Sequence, residues 1–481
     1  MKGWRLGAFW GETNRTLRNV AIAWAGLTLL VVASSILAYL WRGASVFRLL
    51  FDNGPNSNPH VTLLSITLVW LLFGSAIGFL LVRGLTPDNL FPSACFFALA
   101  LLYVNVLRER PNYIDVGDYI QAASELAGGA HLHSLYIYPP FLATVLGPFA
   151  RLGARVAFDV CWVVNALSLF AFFFLLRRTL ILSEFSPRGS TLATFVFMLV
   201  NVPILRTLVC GQINLLVMDC ILASILSYRR SRLLSAVCLA MAVHLKLSPI
   251  ILLLAFLLEK DWRWMAWFVL ALSAGLALTV VPYGIMPFYD VLHNLQRLYE
   301  IRDAAFRDNS IDSFVMAWRK FGTFDPAALQ RTIFGAKVML TLASLWTMFH
   351  CMKRRLFFDQ RGPGAIAFNA IPVLLILMML GSPIAWEHHP VFLTLSFLLI
   401  LRGIETTPVA ALYTTAYALT FLVPTFDFFP WSYGRLLGPL ILLALPWALG
   451  RGPFPTGCFR AWNQWLEAIP IPAKRTGYPS P

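Results

Sequence analysis

The chain has 481 residues, of which 58% are hydrophobic and only 13% charged, whereas a soluble protein of this size carries about 25% charged residues. The net charge of +15 would suggest a nucleic-acid partner in a soluble protein. In so apolar a chain, Lys and Arg act instead as loop anchors that fix topology and attract anionic lipid, so no nucleic-acid partner is expected.

Apolar runs near the ~20 residues needed to cross a bilayer recur along the chain. They predict an all-α polytopic membrane protein of about 12–14 transmembrane helices. One transmembrane domain is expected over residues 1–450, followed by a cytoplasmic tail at 451–481 rich in Pro and Gly. Lys2, Arg5, Arg15 and Arg18 precede a first anchor at 19–41 and place the N-terminus in the cytoplasm. No small-residue cleavage site follows that run, so it reads as an anchor and not as a cleaved signal. Spans at 61–82 and 91–107 leave 108–138 as a first outer loop, with an amphipathic helix between Tyr119 and Gly129. The run after Pro140 is short and interrupted by Gly147-Pro148, as in a re-entrant or interfacial helix.

Spans follow at 155–176, 190–207 and 211–228. A pair of short helices over 233–258 breaks near His244-Leu245-Lys246. A span at 264–282 leads into a long hydrophilic outer loop, 283–332, and spans at 333–352, 365–382, 390–402, 407–425 and 434–449 complete the set. The seven cysteines (95, 161, 210, 220, 238, 351 and 458) lie mostly in apolar runs without paired spacing. They read as small core residues and not as a disulfide or metal framework.

With this topology, Asp115, Asp118, the Gly211–Asn214 turn, the 283–332 loop and Glu387-His388-His389 share the outer face. Carboxylates beside a membrane boundary are costly unless solvated, paired or used. Asp115 and Asp118 lie one helical turn apart and can face one cavity. One of them suits a general base that takes a proton from an attacking hydroxyl, and Asp118 also suits an N-cap for the helix that follows. Gln212 and Asn214 bring amide donors and acceptors to the boundary, as a plain turn also would. Lys246, flanked by apolar runs, either holds an anion such as phosphate or snorkels to the surface. The stretch Ser382-Pro383-Ile384-Ala385-Trp386-Glu387-His388-His389 invites a metal reading, but adjacent residues on a helix diverge by about 100° and no HExxH spacing is present. One His as proton carrier or phosphate donor fits better. Arg297, Arg302, Arg307, Arg319 and Lys320 accompany Asp308-Asn309-Ser310 in the outer loop. They form either a solvated basic loop or a holder for something anionic.

These residues carry a resemblance. Asp115-x3-Tyr119-x2-Ala122, Leu126, Gly129 and Tyr136-x-Tyr138-Pro139-Pro140 resemble the first outer loop of glycosyltransferase family 87. Gly211-Gln212-x-Asn214, Lys246-x-x-Pro249 and Ser382-Pro383-x-x-Trp386-x-His388-His389 are similar to three later signatures, in the same order, so that the likeness spans roughly 110–400. Glu387 stands where Asp is frequent, and His131 and His133 where a Leu-Tyr pair is common.

The resemblance implies a C-type membrane glycosyltransferase acting on the outer leaflet of a bacterial plasma membrane. Its donor would be a polyprenyl-phosphate sugar, commonly mannose, and its acceptor a lipid or glycan. It implies Asp115 as catalytic base, with Asp118 beside it, and His389 as the active imidazole. Tyr119, Tyr138, Gln212, Asn214, Lys246, Asn309, Trp386, Glu387 and His388 are then the expected substrate contacts. No cofactor is expected, although a divalent ion shared by Asp115 and Asp118 is compatible with the sequence. The competing class is a transporter or flippase for a lipid-linked saccharide. It would call for pseudo-repeated halves with polar groups near mid-membrane, and no convincing internal repeat is present.

Overall fold

Every element among the described residues is helical, and none is a strand. The computed structural model describes residues 114–449 except 134–135, 200, 302–308, 319–324, 359–361, 405 and 423–432, together with scattered helical positions between 22 and 40. The expected spans at 61–82 and 91–107, positions 108–113 of the outer loop and the 451–481 tail lie outside these residues.

The helices run in chain order as α1 (Ile114–Ala127), α2 (Pro140–Arg151), α3 (Ala154–Leu182), α4 (Pro187–Leu199), α5 (Val202–Cys210), α6 (Asn214–Ser227), α7 (Arg232–Leu245), α8 (Leu253–Glu259) and α9 (Trp262–Tyr283). They continue as α10 (Met286–Ile301), α11 (Ile311–Ala317), α12 (Pro326–Arg354), α13 (Ala365–Gly381), α14 (Thr394–Leu401), α15 (Thr407–Tyr417) and α16 (Gly434–Ala444). Short 3-10 turns at Ser248–Leu252 and His389–Leu393 lead into α8 and α14. Among the described residues, α3, α9 and α12 are long and apolar enough to cross a membrane, and α4 with α5 make a fourth candidate if the bent pair counts as one span. At about 1.5 Å per residue, 22 to 29 residues cover a hydrocarbon core of about 30 Å. α9 carries Leu270, Leu278 and Val281 outward, which is where a bilayer would receive them.

α13 is the inner element. It is apolar on all sides and its residues from Ala367 to Leu380 are buried, as expected of a core helix. Its N-terminus is held by Glu259 at the end of α8, whose carboxylate accepts from the backbone N–H groups of Gly364, Ile366 and Ala367. A negative group satisfying the orphan donors at a helix start is favourable on both hydrogen-bonding and dipole grounds. α12 packs along α13, α6 and α9 flank α7, and α1 lies on α2.

Several expectations need correction. The amphipathic helix is already formed at Ile114, ahead of the start expected near Asp118, so Asp118 lies inside α1 and caps nothing. The apolar run at 190–207 is two helices bent by 63°. Asn201 accepts from the Ile204 N–H and Pro203 follows, so a new helix starts where a continuous one was expected. The run after Pro140 is one helix of 12 residues that continues through Gly147-Pro148. The 283–332 segment contains α10, α11 and the first turns of α12. A search for continuous apolar runs passes over amphipathic helices such as α10, whose polar and apolar residues alternate by face.

Candidate active site

α1 lays Val116, Tyr119, Ala122, Ala123 and Leu126 into the core and leaves Gln121 and Ser124 outside. That spacing is the helical repeat of one buried face. Asp115 falls in the first turn, where unsatisfied backbone N–H groups favour a carboxylate. The neighbour that shapes this end is Gly211, which closes α5 at φ +65. A Cβ there would lie 2.0 Å from Val116 Cγ2. Only glycine allows both the left-handed cap and a backbone approach this close to the residue following Asp115.

Gln212 is buried and fully engaged. It accepts from the Tyr119 hydroxyl at 2.8 Å and donates to the Tyr138 hydroxyl at 2.9 Å. The two tyrosine rings meet edge to face at 4.9 Å. Gln212 and Cys210 both hydrogen-bond the Asp115 carboxylate, and Arg206 and Lys246 bring positive charge to it. Burial nonetheless dominates and raises the Asp115 carboxyl above its ordinary range. Asp118 is pushed up to about 6, first by burial and then by the charge of Asp115, with His133 opposing.

Asn214, the first residue of α6, accepts from Lys246 Nζ at 3.0 Å and donates to the His388 carbonyl at 3.5 Å. Lys246 ends α7 in an extended conformation, where the chain breaks before Pro249. Its ammonium stands 5.4 Å from the Phe392 ring centroid, a cation–π separation, so it turns toward the site and does not snorkel outward.

The stretch after α13 folds into a tight turn. Trp386 N–H donates to His389 Nδ1 at 3.0 Å, and His389 N–H donates to the Trp386 carbonyl at 3.0 Å. Accepting that bond at Nδ1, the neutral His389 ring carries its proton on Nε2. Both imidazoles are buried, 4.7 Å apart and edge to face. Burial, then the charge of Lys246, holds both well below the usual histidine range, with Arg206 adding to the effect on His388. His388, not His389, joins Asp115 and Cys210 in a cluster whose potential ligand atoms all lie within 4.8 Å of one another. Glu387 is clamped, with Arg206 Nε at 2.8 Å from one oxygen and Arg435 at 2.9 Å from the other. Asn309 is buried and donates its backbone N–H to Ala385 at 2.7 Å, which ties the start of α11 to this turn.

Arg302, Arg307, Arg319, Lys320 and Asp308 lie outside the described residues. Arg297 is exposed on α10. Four side chains that the sequence reading did not single out for the site belong to it or its frame: Arg206, Cys210, Arg435 and His133. His133 bridges carboxylates, with Nδ1 2.9 Å from Glu125 and Nε2 3.7 Å from Asp118. Arg206 was detectable, because an arginine in an apolar run is a functional candidate by default. Cys210 gave no such signal.

A carboxyl with raised proton affinity, hydrogen-bonding amides, a lysine amine that burial pushes down to about 7 and two imidazoles of lowered proton affinity thus converge at the ends of apolar helices. This defines a membrane-associated helical protein with a polar site suited to proton transfer beside an anionic group. The family model of glycosyltransferase family 87 matches residues 136–383, just over half of the chain, and the chain belongs to that family. It is a glycosyltransferase, and sugar donor and acceptor are its substrates. Tyr138, Gln212, Asn214, Lys246 and Asn309 fall within the matched range; Asp115, Asp118, Tyr119, Trp386, Glu387, His388 and His389 fall outside it. No curated protein and no solved structure matches the chain.

Proposed function

We propose that the protein transfers a sugar, mannose in the first instance, from a polyprenyl-phosphate donor to a lipid or glycan acceptor. The reaction runs on the extracytoplasmic face of a bacterial plasma membrane, within a C-type helical fold, and inverts the anomeric carbon. The observation that supports this reading is the setting of Asp115: a buried carboxylate of raised proton affinity, oriented by Gln212 and faced by Lys246 and Arg206.

Asp115 accepts the proton of the acceptor hydroxyl, and that oxygen attacks the anomeric carbon from the side opposite the phosphate. The bond from carbon to phosphate oxygen breaks, and its electron pair leaves with the phosphate. Lys246 and Arg206 neutralise the developing charge, and His388 and His389 donate hydrogen bonds to it. Tyr119, Tyr138 and Gln212 hold the base in register, and Asn214 orients the Lys246 ammonium. Glu387 sets the position of Arg206, while Trp386 and Asn309 shape the turn that carries both imidazoles. A general base typically contributes about 10²–10⁴-fold, so Asp115→Asn is expected to lower the rate by that factor.

The test uses membranes carrying wild type, Asp115→Asn or Asp118→Asn at matched expression, labelled polyprenyl-phosphate mannose and total lipid extract. Loss of transfer with Asp115→Asn, and retention with Asp118→Asn, is the expected result. Transfer that survives both substitutions would overturn the mechanism. A wild type that moves labelled lipid across a bilayer without transferring sugar would favour a flippase.

A further inference from the structure

We propose that Asp115, Cys210 and His388 form a binding site for a thiophilic divalent metal, Zn²⁺ by donor set, and that the bound ion silences the enzyme by occupying its base. The inhibitory half rests on the role proposed for Asp115; the binding half does not.

The three donors come from α1, the end of α5 and the turn before the His389–Leu393 helix, and their potential ligand atoms lie within 4.8 Å of one another. Carboxylate, thiolate and imidazole are zinc ligands, with bonds of about 2.0–2.3 Å. Tetrahedral coordination at those lengths sets donors about 3.3–3.8 Å apart, so the cluster needs to contract by roughly 1 Å around an ion. A second observation points to a ligand: His388 is 6% exposed, and its Nε2 has no hydrogen-bond partner among the described residues. A buried polar atom left so is costly and calls for an explanation. The backbone carrying this ring is anchored on both sides, by the Glu387 clamp and by the Asn214 amide on the His388 carbonyl.

Magnesium and calcium do not suit this set, because they take oxygen ligands and only one carboxylate is offered. Lys246 and Arg206 oppose a bare cation but favour the thiolate that zinc requires. On binding, Cys210 Sγ loses its proton to solvent, and two anionic ligands and a neutral imidazole then balance the ion's two charges. Water fills the fourth position. With an oxygen of Asp115 on the metal, the carboxylate no longer accepts a proton from the acceptor hydroxyl.

The experiment uses the full-length protein purified in detergent and stripped with EDTA. Equilibrium dialysis against ZnCl₂ is expected to give one Zn²⁺ per chain. Cys210→Ser is expected to weaken binding at least tenfold, whereas the control Cys220→Ser leaves it unchanged. Zinc is also expected to protect Cys210 from maleimide labelling, a readout in the unmutated protein that does not depend on a variant folding. In the transfer assay, zinc inhibits wild type, whereas the activity that Cys210→Ser retains resists zinc. A wild type that retains no zinc, or a folded Cys210→Ser that binds it as tightly, would overturn the site. Zinc retention in a protein that transfers no sugar would uphold the site and reject the reading of the enzyme.

Discussion

Gly211→Ala tests how strictly the fold sets the position of the candidate base. At φ +65 an alanine bears a left-handed conformation that costs about 1–2 kcal/mol. The larger effect is steric, because the new methyl would sit 2.0 Å from Val116 Cγ2 and ordinary contact begins at 3.4 Å. α1 and the end of α5 must part by roughly 1 Å, and a displacement of that size near the chemistry is worth about 10²-fold in rate. kcat for sugar transfer is therefore expected to fall about 10²-fold, with a lowered thermal midpoint in detergent. Val116→Ala supplies the internal check. It removes Cγ2 and leaves Val116 Cβ at 3.2 Å from the new methyl, a contact that small shifts relieve. The double variant is expected to regain most of the lost kcat relative to Val116→Ala alone, while keeping the conformational cost in its thermal midpoint. A Gly211→Ala enzyme with kcat within about threefold of wild type, or a double variant no better than the single, would refute the reasoning.

Asp115→Asn removes the like charge that, after burial, helps push the Asp118 carboxyl up to about 6. Without that charge Asp118 is expected to titrate at lower pH, read from its carboxylate infrared band across a pH series. The sign follows because a negative neighbour disfavours ionisation and its loss lowers the pKa; a midpoint that stays or moves upward would count against it. Glu387→Ala leaves Arg435 and Arg206 without their shared carboxylate and is expected to cost about 3–5 kcal/mol of stability, read as a large drop in thermal midpoint and recovered yield. Lys246→Met is expected to raise KM for the proposed lipid-phosphate donor at least tenfold with little change in KM for the acceptor. A selective loss of acceptor affinity would contradict the role given to its ammonium.

How much of this was legible in the sequence depended on the kind of signal each element carries. The all-helical character was readable because long apolar runs such as 155–176 and 365–382 leave few alternatives. The break at Lys246 was readable because a charge followed by Pro249 cannot continue an apolar helix. The start of α1 was not, because Asp118 and Asp115 are equally good near a helix N-terminus and the local sequence does not choose between them. Gln212, Tyr119 and Tyr138 were each named as substrate contacts, but the hydrogen bonds that join them are a product of distance in space. Cys210 was passed over for a physical reason: a small apolar-compatible side chain in an apolar run carries no mark of its neighbours. Likewise Arg435 declares its partner only once α16 folds against the turn bearing Glu387.

The spread of the site along the chain bears on how the protein is made. Roughly 270 residues separate Asp115 from His388, about 14–55 s of synthesis at 5–20 residues per second. For that interval α1 carries a carboxylate whose imidazole partners do not yet exist. Lys246 arrives partway through and Arg435 last of all. Ribosomes that stall before Glu387 would release chains with a half-built polar cleft and Arg206 lacking its counter-charge, a state suited to recognition by membrane quality control. Catalytic competence would then be among the last properties the nascent chain acquires, so that no early fragment could transfer sugar.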